Sequence, residues 1–213
     1  IIKDVRENNP EKVDTALVNG VPVAPNHKMQ TQYRYNSLNQ LVWQKTPDGG
    51  VTKFAYDALG RIIASQNANQ ALVTPALFSY TRYDGLGRIM EAGQLEVKTG
   101  TAMHINENGR LVFANDDLVP VDAVNDHFPY NQGKTFDQVT RTLYDIPVKD
   151  TEDWFTSYAG DNNHKRVTAV LYYNQLTAEL GEIKAYDKYS NAILYDYDVH
   201  GNVKELVHHT NNN

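Results

Sequence analysis

Phe54-Ala55-Tyr56-Asp57-Ala58-Leu59-Gly60-Arg61-Ile62 reads as a strand that runs into a tight turn and out again. Phe54 and Tyr56 lie two positions apart, the spacing that places side chains on one face of a strand. Asp57 can accept hydrogen bonds from the amides of a turn, and Gly60 tolerates the positive φ that a β-carbon opposes. Arg61 and Ile62 then begin the return leg, so the two legs pair antiparallel.

The core of this phrase recurs along the chain. The copies are Tyr35-Asn36-Ser37-Leu38-Asn39-Gln40-Leu41, Tyr56 to Ile62, Tyr83-Asp84-Gly85-Leu86-Gly87-Arg88-Ile89, Ile105-Asn106-Glu107-Asn108-Gly109-Arg110-Leu111 and Tyr197-Asp198-Val199-His200-Gly201-Asn202-Val203. Leading positions of the first four differ by 56 − 35 = 21, 83 − 56 = 27 and 105 − 83 = 22. The period is therefore close to 21, with six extra residues around Asn69 to Ala76, and a period in this range signals a repeat architecture. Tyr33-x-Tyr35 and Tyr195-x-Tyr197 repeat the aromatic pair, and Leu41-x-Trp43 carries the alternation into the return leg. The residues expected to build these turns are Tyr35, Asn36, Asn39, Tyr56, Asp57, Gly60, Arg61, Tyr83, Asp84, Gly87, Arg88, Asn106, Gly109, Arg110, Tyr197, Asp198 and Gly201.

A unit that returns to its starting direction needs a second reversal, and Pro47-Asp48-Gly49-Gly50 supplies one between Trp43 and Phe54. The expected fold is all-β, with antiparallel hairpins stacked side by side into a twisted or spiral sheet. Residues 1–30 form a lead-in of no evident fold, 31–113 the repeat array, 114–165 an insertion, 166–207 further repeat strands and 208–213 a loop or cut end. Pro120, Pro129 and Pro147 and polar clusters mark the insertion, within which Thr135 to Tyr144 reads as a strand and Asp150 to Tyr158 as a short helix capped by Asp150. Val167 to Tyr173 alternates as a strand, and Tyr186-Asp187-Lys188-Tyr189-Ser190-Asn191-Ala192 is a weak further copy.

Composition narrows the function classes. The chain has 213 residues with 20 basic and 26 acidic side chains, a balance of −6, and no basic run that would neutralise phosphates, so nucleic acid is not an expected partner. Apolar stretches such as Ala169 to Tyr173 fall far short of the roughly 20 residues of a membrane helix. Without cysteine there is no disulfide framework, thiolate nucleophile or zinc–thiolate cluster. Tyrosine is in surplus, 14 against 6 Phe and 2 Trp, which suits half-buried pleated surfaces. The opening Ile1-Ile2-Lys3-Asp4 has no signal-peptide pattern and reads as a cut from a longer chain.

Tyr-x-Tyr-Asp-x-x-Gly-Arg-aliphatic is the phrase of the RHS or YD-repeat family, which Phe54 to Ile62 and Tyr195 to Val203 resemble closely. The resemblance covers Gln32 to about Phe113 and, more loosely, Lys165 to Val207, where it is similar to the large RHS-repeat proteins of Bacteroidetes-type bacteria. It implies a large bacterial protein, secreted or displayed at the cell surface, whose repeats wind into a hollow β-sheet shell around a C-terminal toxin or other polypeptide cargo. Related repeats in animal teneurins serve adhesion. Further YD repeats of the same chain are thus expected partners. The Asp-Pro-rich core motif that marks self-cleaving members is not found, so no cleavage is assigned to these residues.

No catalytic, metal or cofactor residues are expected. Asp57, Asp84 and Asp198 occupy equivalent turns, whereas a catalytic carboxylate pair needs two unlike environments a few ångströms apart. His200, His208 and His209 suggest a metal at first sight, but His208 and His209, adjacent on a strand, point to opposite faces. Asn106-x-Asn108-Gly109 lacks the acidic residues of a calcium loop and reads as a hairpin turn. Tyr33, Tyr35, Tyr56, Tyr83, Tyr195 and Tyr197 are expected as a cross-strand aromatic ladder in preference to a glycan-stacking platform, and Tyr35, Tyr56, Tyr83, Tyr144 and Tyr197 each stand beside an Asp or Asn. A shell wall is the leading reading. An adhesin that displays 114–165 to a glycan or protein is the rival, and a carbohydrate-processing enzyme on a β-repeat scaffold comes third.

Overall fold

The computed structural model describes residues 2–4, 17–18, 21–22, 29–98, 103–113, 117–118, 128, 133–145, 162–177 and 189–211. Its strands are antiparallel throughout. In chain order they begin with β1 (Ile2–Asp4), β2 (Leu17–Val18), β3 (Val21–Pro22), β4 (Gln30–Tyr35), β5 (Leu41–Thr46), β6 (Gly50–Tyr56) and β7 (Ile62–Gln66). After α1 (Ala68–Leu72) come β8 (Leu77–Tyr83), β9 (Ile89–Val97), β10 (His104–Ile105), β11 (Leu111–Phe113) and β12 (Asp117–Leu118). The last four are β13 (Gly133–Tyr144), β14 (Val167–Thr177), β15 (Asn191–Tyr197) and β16 (Val203–Thr210). The expected helix over 150–158 and the first three residues of the weak copy at 186–192 lie outside the described residues.

The chain divides into two compact units, Ile1–Ala76 with Ala102–Val121, and Leu77–Thr101 with Asp122–Asn213. In the first, β1, β4, β5, β6 and β7 are neighbours in that order, and β10, β11 and β12 make a separate small sheet. The fourth copy of the phrase joins β10 to β11 and so stands outside the main ladder. Its legs are only two and three residues long and its leading residue is Ile105 instead of tyrosine. It packs on the array through its turn: the Gly109 carbonyl accepts the Tyr56 amide at 2.9 Å, and a β-carbon on Gly109 would lie 2.5 Å from Val42 Cγ1.

In the second unit β8, β9, β13, β14, β15 and β16 follow in order. β13, from the stretch read as an insertion, is the longest strand and an interior one, paired with β9 on one side and β14 on the other. Phe78, Leu95, Phe136 and Leu176 form one row across four strands, each at most 2% exposed. Burying each such side chain stabilises by roughly 1.5–3 kcal/mol, which makes this row the centre of the unit.

Ladder register shows what the phrase does. Each leading tyrosine pairs with the aliphatic residue at the end of its own phrase: Tyr35 with Leu41, Tyr56 with Ile62, Tyr83 with Ile89 and Tyr197 with Val203. Immediately beyond, the register slips by one, leaving Val42, Ile63, Met90 and Lys204 as the extra residue of a β-bulge. The midway turn falls as expected, with Thr46 opposite Gly50, Gly50 at φ +66° and the Gly49 amide donating to Thr46 Oγ1 at 3.0 Å. The extra residues near Asn69 hold α1, closed at its start by a reciprocal pair: the Gln70 amide donates to Asn67 Oδ1 and the Asn67 amide to Gln70 Oε1, both at 2.9 Å.

Candidate functional site at the repeat turns

The five turns share one set of hydrogen bonds. Oδ1 of Asn36 accepts the amides of Leu38 and Gln40, Asp57 those of Leu59 and Arg61, and Asp84 those of Leu86 and Arg88, all at 2.9–3.0 Å. Asn106 takes those of Asn108 and Arg110, and Asp198 those of His200 and Asn202, at the same distances. Around each, the backbone closes twice. The Asp or Asn amide donates to the carbonyl four residues on, and its own carbonyl accepts the amide three residues on, all within 2.9–3.1 Å. That second donor belongs in each copy to the residue at positive φ: Asn39 at 59°, Gly60 at 79°, Gly87 at 81°, Gly109 at 71° and Gly201 at 91°. A single side-chain oxygen thus satisfies two amides, and Asp and Asn serve alike.

The remaining side-chain atom holds the polar residue near the end of the phrase. Asp57 Oδ2 and Asp84 Oδ2 each accept from the Nε of Arg61 and Arg88 at 2.6 Å, Asp198 Oδ2 accepts from Asn202 Nδ2 at 3.0 Å, and Asn36 Nδ2 donates to Gln40 Oε1 at 2.6 Å. Arg88 also donates through Nη2 to Asp145 at 2.7 Å, so its guanidinium ties two turns together. Those bonds set the acidity. Partial loss of hydration works to raise the Asp84 carboxyl, and the bonds from the Arg88 backbone and side chain and the Leu86 amide outweigh it, so the group titrates below the ordinary aspartate range. Asp198 is lowered chiefly by Asn202, and Asp145 by the Arg88 side chain and then the Lys165 amide.

Three tyrosine hydroxyls make a second kind of contact, each with a backbone carbonyl at the start of another strand. Tyr56 donates its hydroxyl to the Leu41 carbonyl at 2.8 Å, Tyr144 to Ile89 at 3.0 Å and Tyr197 to Val167 at 2.7 Å. Leu41 and Ile89 are the aliphatic ends of the first and third phrases. Arg88, beside Ile89, lies 4.1 Å over the Tyr144 ring, and Arg166, beside Val167, lies 5.4 Å over that of Tyr197. Burial raises the pKa values of Tyr56 and Tyr197, the latter against the opposing effect of Arg166.

Sequence reasoning missed one cluster. Glu91, 2% exposed, accepts from Tyr80 Oη at 2.7 Å through Oε1 and from Arg141 Nε at 2.6 Å through Oε2, with Arg82 Nη1 at 3.7 Å. Arg82, Glu91 and Arg141 stand opposite one another on β8, β9 and β13. The available signal was a glutamate two and four residues before Gly93 and Leu95, on the face that is otherwise apolar. His200 and His208 are exposed, and His209 Nδ1 shares a 2.9 Å hydrogen bond with Tyr189 Oη. Among the described residues no three histidine or carboxylate side chains gather as a metal site, and no helix is long and apolar enough to cross a membrane.

Comparison with curated proteins finds no match. Among solved structures the chain is similar to a chain of a mutant Tc holotoxin pore from Photorhabdus luminescens, at 13% identity and a TM-score of 0.19, over 85% of this chain and 9% of that one. The protein family described as RHS Repeat matches residues 35–71, from the leading tyrosine of the first phrase through the second. The chain carries an RHS repeat at those residues, within an antiparallel all-β fold.

Proposed function

We propose that this chain is a stretch of structural wall in a larger secreted or surface-displayed repeat protein, and that the wall encloses a polypeptide cargo such as a toxin. The observation that carries this reading is the equivalence of the turns. Asp57, Asp84 and Asp198 each hold two backbone amides and a neighbouring side chain, so their carboxylates are committed to shaping the chain and no two of them form an unlike acid–base pair. On this reading the seventeen residues named at the outset as turn builders act as scaffold, and further YD units of the same protein are the direct partners.

A unit of two strands cannot bury a face by itself and depends on its neighbours, which suits a continuous wall better than an independent domain. The test uses the full-length protein. If the repeats enclose cargo, polypeptide encoded beyond them should resist limited proteolysis until the wall is unfolded. Cleavage at the rate of the same polypeptide expressed alone would overturn enclosure and leave display to an outside ligand as the reading to pursue.

A further inference from the structure

Tyr144-Asp145 and Arg166-Val167 are far apart in the sequence, yet they meet as the two halves of one phrase. We infer that residues 144–167 are a sixth YD unit whose turn has been opened to carry an excursion of the chain. In the closed copies three residues separate the Asp or Asn from the polar residue (61 − 57 − 1 = 3), and here there are twenty (166 − 145 − 1 = 20).

The structure supports the assignment from four sides. Tyr144 pairs with Val167 as each leading tyrosine pairs with its aliphatic partner, and the register slips at the same place, between Leu143 and Tyr144, leaving Thr168 as the extra residue. The Asp145 amide donates to the Arg166 carbonyl at 3.1 Å, the bond that closes every other copy, whereas the Lys165 amide donates to Asp145 Oδ1 at 2.5 Å, where the left-handed residue of a closed copy donates to the backbone carbonyl of the Asp or Asn. Lys165 stands at φ +60° directly before the polar residue, where Gly60, Gly87, Gly109 and Gly201 stand in their own phrases. The unit also makes, in both directions, the contact by which Tyr56 reaches the Leu41 carbonyl of the preceding phrase: Tyr144 to the Ile89 carbonyl and Tyr197 to the Val167 carbonyl.

Arg166 behaves as its position in the phrase requires. Gln40 lies under the turn glycine of the next unit, where a β-carbon on Gly60 would meet its Nε2 at 3.1 Å, and the Arg166 guanidinium likewise occupies the space beside Gly201. The departures are those an opened turn demands. Asp145 itself takes φ +68°, and the Arg166 amide donates to the Asn163 carbonyl at 2.9 Å in place of a carboxylate oxygen. Arg88 holds Asp145 from the previous turn, bracing the point where the chain leaves. The inference concerns the unit and its anchor points and stands whether or not the wall encloses cargo.

Three substitutions in the whole chain test it by the sign of their effects. Lys165→Gly should raise the melting temperature by about 2–4 °C, because glycine removes the β-carbon penalty of a left-handed residue, and Lys165→Ala should leave it unchanged. Asp145→Asn gives up the Arg88 ion pair but keeps an oxygen for the Lys165 amide, so hydrogen exchange at that amide should stay slow. Asp145→Ala should speed that exchange several-fold and lower the melting temperature by at least about 2 °C. In an ordinary loop, glycine loosens the unfolded chain and lowers the melting point. A fall with Lys165→Gly, or equally fast exchange at the Lys165 amide in Asp145→Asn and Asp145→Ala, would overturn the assignment.

Discussion

One carboxylate or amide oxygen organises each turn, and its demands are narrow. Oδ1 takes two amides, so Asp84→Asn should keep the turn while giving up the Arg88 bond at Oδ2, and Asp84→Ala, which removes all three bonds, should cost about 1 kcal/mol more than Asp84→Asn, read from urea unfolding. The same groups give the protein its acid limb. Asp84, Asp145 and Asp198 all titrate below the ordinary range in the folded chain, so the unfolded chain takes up protons first. Their stabilisation is full above the unfolded value of about 3.9 and is lost as pH falls through the lowered folded values. Unfolding midpoints should therefore hold steady from neutrality to about pH 5 and drop below about pH 4, and the double variant Asp84→Asn with Asp198→Asn should flatten that drop. At the left-handed position, Asn39→Gly should raise the melting temperature, and Gly201→Ala should lower it, since its β-carbon would run into the Arg166 guanidinium. The turn residues were legible in the sequence because their bonds are local, reaching four positions at most.

Strands and their partners were legible to the extent that partners lie close in the chain. The hairpins β4–β5, β6–β7, β8–β9 and β15–β16 follow from the phrase alone, since its two legs pair with each other. The place of β13 between β9 and β14 did not, because its pairing with β9 spans the stretch where the phrase lapses. The α1 helix was hidden by its brevity, although Asn67-Ala68-Asn69-Gln70 carries the spacing of a capping box. The Glu91 cluster depends on Arg141, fifty positions away, and no periodicity links the two. It joins three strands side by side. Glu91→Ala would leave the Arg141 side chain buried without its charge partner at a cost of roughly 3–5 kcal/mol, and adding Arg141→Leu should recover a large part of it, as seen in urea midpoints. Between units, Tyr197→Phe should lose about 0.5–1.5 kcal/mol with the bond to the Val167 carbonyl, leaving the strands paired.

At the scale of the molecule, the second, opened and last phrases each lean on the phrase before through a tyrosine hydroxyl. Among the described residues β16 pairs with β15 alone, and Val203 and Leu206 are about half exposed, at 52% and 54%. An edge of this kind templates further pairing, so the chain by itself should self-associate with rising concentration in sedimentation velocity, and Leu206→Lys should reduce that association. The tyrosine contacts add a consequence for force. Each of these three hydroxyls bonds to a carbonyl of the preceding phrase, so a load that parts neighbouring phrases there must break that seam. Pulled in this way, the array should yield in a sawtooth, each rupture paying out roughly 70 Å of chain for a 21-residue unit and leaving the units behind it still closed.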